Sequence, residues 1–251
     1  MTFSIQPACN FDACALAKIC GDSFHNDRNT QLKALGKNPY NLEQSMKTSI
    51  PQQIASPNTI ILKLIDEESG EIAGWISWGF RGFSHTEISE MQPNIATTSK
   101  PHTLQPCKAD KAEEKDNTPP EEIGRASVED DPIKQLEALT GADLKNWMDR
   151  LMPDGIRCMF VSSLSVAPKW QSRGFGSALL KWGIEKADKA NVFIWVHSSE
   201  GAWQMYQKSG FEVIGTLDVD LDQYAPTPLS SGDNRTWGHY VFRYMKRLPR
   251  G

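Results

Sequence analysis

The run Gln171-Ser172-Arg173-Gly174-Phe175-Gly176-Ser177 sets two glycines, two hydroxyls and a guanidinium between two apolar stretches. Before it stands Leu164-Ser165-Val166-Ala167-Pro168, read as the end of a strand over residues 157–166. After it, Phe175, Ala178, Leu179 and Trp182 recur at helical spacing and predict a helix over residues 174–190. The first N–H groups of a helix have no partner inside it, and the helix dipole adds partial positive charge. Such donors suit a phosphate or pyrophosphate. Gly174 and Gly176 would clear Cβ atoms from the path of a phosphate oxygen, and Arg173 would add a charged contact. The third glycine of a dinucleotide fingerprint and the Gly-Lys-Ser/Thr of a P-loop are both missing. From the turn alone, a phosphate site and a helix start that needs glycines for close packing stand about level.

A second constellation follows: Ser199-Glu200-Gly201-Ala202-Trp203-Gln204-Met205-Tyr206-Gln207-Lys208-Ser209-Gly210-Phe211. Gln171-x-x-Gly174-x-Gly176 resembles the Gln/Arg-x-x-Gly-x-Gly/Ala motif of the GNAT superfamily of N-acyltransferases, including stand-alone members in filamentous fungi. The second run resembles that family's Asn-x-x-Ala-x-x-x-Tyr-x-x-x-Gly-Phe, with Ser199 in place of the asparagine. The resemblance covers residues 157–219. It implies acyl-CoA, most simply acetyl-CoA with coenzyme A as product, as co-substrate, no metal, and an amine as acceptor. The cofactor would lie against Leu164, Val166, Gln171, Ser172, Arg173, Gly174, Gly176, Ser177 and Ser199.

The resemblance also implies roles. Backbone groups at Leu164 and Val166 would hold the pantetheine arm and polarise the acyl carbonyl; a fixed donor at a developing oxyanion is a large catalytic effect. Packing of the same side chains in the core is compatible with that. Tyr206 stands where many members protonate the departing thiolate, which at a pKa near about 8.5 is already a fair leaving group. An alkylammonium with pKa about 10.4 must lose a proton before it attacks. Residues 157–168 hold no Asp, Glu or His, so the strand carboxylate of some members is absent. His197 is a candidate base, since an imidazole suits neutral pH; a packing histidine and a water relay are the other readings. Asp218, Asp220 and Asp222 read as a solvated face, and Trp75, Trp78 and Phe80 as core. Cys158 has no histidine beside it in sequence, so direct transfer in a ternary complex is expected over a covalent intermediate. From another class, the chain would be a non-enzymatic acyl-CoA-binding module.

The elements that must position these residues are legible as patterns. Residues 3–6 read as a strand and 12–24 as a helix. Residues 30–35 and 42–50 read as further helices, punctuated by Asn38-Pro39 and Ile50-Pro51. Residues 59–65 and 71–78 form a hairpin about Asp66-Glu67-Glu68-Ser69-Gly70. Residues 84–131 have no aromatic residue and many prolines, and are expected to be a flexible, low-hydrophobicity insertion within one domain. Helical character returns over 133–139 and 142–151. Val192-Phe193-Ile194-Trp195-Val196 is a strand buried on both faces. Residues 211–221, with Phe211, Val213, Leu217, Val219 and Leu221 on one side, and 235–246 alternate as strands. Strand, helix, strand in this order implies a right-handed parallel crossover. The expected class is α+β with α/β character: a single domain over 1–251, with a mixed, mostly antiparallel central sheet flanked by helices and a parallel strand–helix–strand cofactor unit.

Bulk properties set the outer limits. The chain has 251 residues with net charge −4 and pI near 5.8, so nothing calls for a nucleic-acid partner or an anionic membrane surface. No apolar run approaches the ~20 residues of a bilayer span, and the N-terminus lacks signal-peptide regions. Five cysteines without metal-ligand spacing are expected to be reduced thiols in an intracellular, most simply cytoplasmic, protein, with a nuclear location open. Oligomeric state is not legible.

Overall fold

In the computed structural model, residues 2–93, 131–226 and 236–251 are described. Seven strands, Phe3–Pro7 (β1), Thr59–Asp66 (β2), Ile72–Arg81 (β3), Cys158–Val166 (β4), Phe193–Ser198 (β5), Glu212–Asp220 (β6) and His239–Arg247 (β7), form one sheet in the order β1-β2-β3-β4-β5-β7-β6. Every neighbouring pair is antiparallel except β4 with β5, which is parallel. The crossover between that pair runs through Phe175–Ala190 (α6), as the strand–helix–strand pattern predicts.

Strand β2 has apolar residues on both faces because helices cover both. Ile60, Leu62 and Leu64 join the core beneath α6, together with Trp78, Met159, Leu179 and Leu180. Ile61 and Trp75 turn to the other face, against Ala13–Ser23 (α1) and Leu42–Ala55 (α3). Trp75 is fully buried, and its indole N–H donates to the Leu16 carbonyl at 2.9 Å, so burial costs it no hydrogen bond. Trp78 lies under Gly183 of α6, where a Cβ would come within 2.1 Å of the ring. Trp75, Trp78 and Phe80 are thus core residues.

Arg28–Lys33 (α2) and Pro132–Leu151 (α5) close the β6–β7 end, where Leu32, Ile133 and Leu136 meet Leu221, Tyr240 and Phe242. The two helical stretches read near residues 133–139 and 142–151 are one 20-residue helix. It passes through Thr140-Gly141 because the Thr140 hydroxyl bonds back to the Leu136 carbonyl at 2.9 Å and nothing presses on Gly141. Likewise α3 continues through Pro51 to Ala55, where the sequence reading ended it. The cost of proline is tolerated there by packing of Met46 and Ile50 onto α1.

Within the segment 84–131, His85–Met91 (α4) is a helix, opened by a reciprocal Ser84–Glu87 capping box and anchored by buried Ile88. Residues 94–130 of that segment lie outside the described residues. Strand β6 departs from simple alternation. A register shift between Val213 and Gly215 leaves Val213 and Ile214 exposed, while Phe211 and Val219 stay buried. Trp147 of α5 fills the place of a Gly215 side chain, at 2.1 Å from an ideal Cβ. Cys9, Cys20 and Cys158 carry free thiols. Among the described residues, no helix is long and apolar enough to cross a membrane.

Candidate functional site

Strands β4 and β5 pair only from Cys158 with Phe193 to Val161 with Val196. Beyond that point they part. The cause sits in β4: Ser77 pairs with Ser163 and Trp78 with Val161, so Ser162 is an extra residue with no partner on β3. A bulge of this kind bends its strand and ends pairing. The remainder of β4, from Leu164 to Val166, therefore faces an open wedge.

The wedge holds two adjoining cavities. The larger, about 710 Å³, is lined by Leu164, Val166, Gln171, Ser172, Gly174, Gly176, Ser177 and Ser199, among others. Those are the residues expected from sequence to meet the cofactor, save Arg173. Its guanidinium lies 5.2 Å from the Trp170 ring centre, outside the lining. Gly174 is the N-cap of α6 at φ +84°, a left-handed conformation that favours glycine, and a Cβ there would meet nothing within 4 Å. The first intrahelical bond of α6 runs from the Ala178 N–H to the Gly174 carbonyl, at 2.9 Å. The N–H groups of Phe175, Gly176 and Ser177 precede it and have no helical acceptor, and all three residues line the cavity. The turn thus presents what a pyrophosphate needs. Gly176 serves packing as well: a Cβ there would sit 2.9 Å from the Met205 sulfur. Gln171 donates to the Val166 carbonyl at 3.0 Å, holding the turn against the end of β4.

The smaller cavity, about 270 Å³, takes in His197 and Tyr206. Seven residues line both spaces, among them Phe24, Asp27, Leu164, Ser165 and Tyr240, so the two meet at the end of β4. Tyr206 lies on Trp203–Lys208 (α7), 3% exposed and edge-on to Phe211 at 5.5 Å. Burial raises its pKa far above the usual phenol value, so it stays protonated at working pH. His197 stacks on Tyr244, with centroids 4.7 Å apart and planes at 13°, and its Nε2 is buried without a partner among the described residues. Burial lowers its pKa to about 4, against a weaker opposing pull from Asp143. An imidazole that weak is neutral at physiological pH yet holds a proton too poorly to take one from an ammonium. The geometry thus favours the packing reading of His197 over the basic one.

Asp27 was not singled out in the sequence. Its Oδ1 accepts from the Thr30 N–H and hydroxyl, each at 2.9 Å, and its Oδ2 accepts from the Tyr240 hydroxyl at 2.6 Å. Burial and then the Asp27 charge raise the Tyr240 pKa well above the ordinary range, so this phenol is a fixed donor. Arg28 ties the cluster to Glu200 by an ion pair at 2.6 Å. The signal for Asp27 was its place three residues before Thr30 at a helix start, which marks a cap and nothing more. The aspartates of β6 lie elsewhere. Asp218 contacts His239 at 2.9 Å, Asp220 caps a single turn, and Asp222 accepts from the Trp237 and Gly238 amides.

Cys158 is fully buried, and burial pushes its thiol up to about 11, which leaves no thiolate for covalent catalysis. Among the described residues, no group of His, Cys, Asp and Glu is arranged to hold a metal ion.

Comparison with known proteins agrees with this geometry. Residues 139–211 match the model of the acetyltransferase (GNAT) family. An acetyltransferase from Corynebacterium glutamicum, described as histone acetyltransferase HPA2 and related acetyltransferase, superposes with TM-score 0.52 at 18% identity, over 100% of this chain and 98% of its own. Arylalkylamine N-acetyltransferase 2 from Aedes aegypti gives 0.57 at 12%, over 100% of both chains. A variant of agmatine N-acetyltransferase gives 0.55 at 13%, over 98% and 99%. No curated protein matches the sequence. Residues 139–211 thus carry a match to the GNAT acetyltransferase model, and the chain has the fold of these acetyltransferases.

Proposed function

We propose that this protein transfers an acyl group, in the first instance acetyl, from acyl-CoA to a primary amine by direct attack within a ternary complex. The observation that carries the reading is the junction itself. A cavity that offers three free helix N–H groups opens, at the end of β4, into a second cavity lined by a carboxylate and a buried phenol. Acyl-CoA would lie along the first with its thioester at Leu164–Val166, and the amine would enter by the second. Holding both reactants at the junction replaces a bimolecular encounter with an intramolecular one.

The ammonium form of the acceptor would rest near Asp27 and lose a proton to water in the cleft. The neutral nitrogen then attacks the thioester carbonyl, and a backbone N–H of β4 steadies the oxyanion. As the C–N bond forms and the C–S bond breaks, the departing sulfur takes the Tyr206 proton, and the surplus proton on the new amide nitrogen passes through cleft water to restore the phenol. Buried Cys158 supports the absence of a covalent acyl-enzyme.

A second reading is a non-enzymatic acyl-CoA-binding module. It is favoured by the lack of a carboxylate on β4 and by the weak basicity of His197. Release of free thiol from acetyl-CoA, measured with a panel of amines, separates the two. Thermal stabilisation by CoA esters without thiol release would establish the module. Absence of stabilisation by any CoA ester would end both readings.

A further inference from the structure

The second cavity has opposite charges along one wall. Asp27 stands at the start of α2, where the cavity meets the larger cleft, and Lys33 stands at the end of the same helix. Six residues of helix separate them by roughly 9 Å. Phe24, Met46 and Phe242 add apolar surface to the lining of the same cavity.

Lys33 is unusually placed for a cation. Its side chain is only 18% exposed, and its nearest carboxylate, Glu137, is 3.9 Å away, at the outer limit of an ion pair. Its other contact is the Tyr40 ring, 5.7 Å from the ammonium. Burial lowers its pKa, while Glu137 and then Asp27 pull the other way. A lysine drawn from water with so loose a partner is improved by an anion delivered to it. Two more groups in this wall are unsatisfied: Asn29 Oδ1 and His197 Nε2 are buried with no hydrogen-bond partner among the described residues. A volume of about 270 Å³ admits a small molecule more readily than a peptide chain.

We propose that the acceptor is an ω-amino acid, with its ammonium at Asp27 beside the thioester and its carboxylate at Lys33. This rests on the acyl-transfer reading of the same site. The methylene chain would lie along the apolar wall, and the ligand would set a counter-charge against the charged group at each end of the helix.

Binding to the CoA-loaded protein is measured by calorimetry with aminohexanoate, hexylamine and diaminohexane. The wild type should bind aminohexanoate at least about tenfold more tightly than hexylamine. Lys33→Gln should abolish that preference, and Lys33→Glu should move it to diaminohexane. Melting temperature and CoA affinity report whether each variant is folded, and the wild-type comparison stands without them. Equal binding of aminohexanoate and hexylamine to the wild type, binding of neither, or a preference that survives Lys33→Gln would each overturn the assignment. Thiol release is followed in parallel. No turnover with any amine removes acyl transfer while the binding preference remains readable.

Discussion

Tyr240 donates its phenolic hydrogen to Asp27 at 2.6 Å, joining β7 to the first turn of α2 where the two cavities meet. The same oxygen accepts the Glu200 amide at 3.3 Å. One hydroxyl thus fixes the carboxylate assigned to the amine and the loop that leads into α7. Tyr240→Phe should lower stability by about 1 kcal/mol, since it leaves a half-buried carboxylate oxygen short of a donor. It should also raise the KM for the amine more than it lowers kcat. Urea unfolding and steady-state kinetics check the two effects; unchanged values for both would mean the bond does not position Asp27.

Gly174 and Gly176 should respond differently to substitution. At Gly174 a side chain has room but the backbone is strained, so Gly174→Ala should cost about 1 kcal/mol of stability. Gly174→Glu should weaken CoA binding at least about tenfold, by adding a negative charge where the pyrophosphate is placed. Gly176→Ala presses on the Met205 sulfur and should disturb α7 as well. Calorimetric titration with CoA separates these outcomes. Full affinity in Gly174→Glu would make the turn purely structural.

Tyr206→Phe keeps the edge-on contact with Phe211 and removes only the phenolic hydroxyl. Turnover should fall by roughly tenfold or more while CoA affinity holds. Wild-type kcat in this variant would remove the acid role and leave Tyr206 as a core residue.

His197 makes a prediction about acid stability. Its pKa is about 4 in the folded protein and near 6.5 when unfolded. Above pH 6.5 both states are neutral there and the residue contributes no pH dependence. Between 6.5 and 4 the unfolded chain binds a proton that the folded one refuses, so stability falls as pH falls through that window. The loss is up to about 3 kcal/mol. His197→Asn should flatten this part of the stability curve relative to the wild type, as read by unfolding at pH 7 and pH 4.5. Parallel curves would mean the imidazole titrates normally.

The legible and illegible parts of the sequence divide along a physical line. The turn at Gln171–Ser177 and the run to Phe211 were readable because they act locally: a strand end, a glycine at positive φ and a helix start lie within a few residues of one another. So were the two tryptophans of β3, since large apolar side chains on a hairpin strand gain most from the core. The Asp27–Tyr240 pair was not readable. Its members lie 213 positions apart, and only the closing of α2 over β7 brings them together. The bulge at Ser162 was equally hidden, because an extra residue in a ladder shows only against its partner strand. The exposure of Val213 has the same origin, a register slip that alternation cannot announce.

The parting of β4 and β5 divides the molecule's inheritance as well as its sheet. One wall of the wedge is built from residues 164–177, a single contiguous stretch that must keep its backbone shape. Much of the lining of the smaller cavity comes from residues 24–46, whose first members, Phe24, Asp27 and Arg28 among them, also reach the larger cleft. On the proposed reading, substitutions from Asn29 to Met46 would retune the choice of amine while residues 164–177 keep the seat of the acyl donor. A lineage of such proteins is free to diversify its chemistry at one end of the chain while the other stands still.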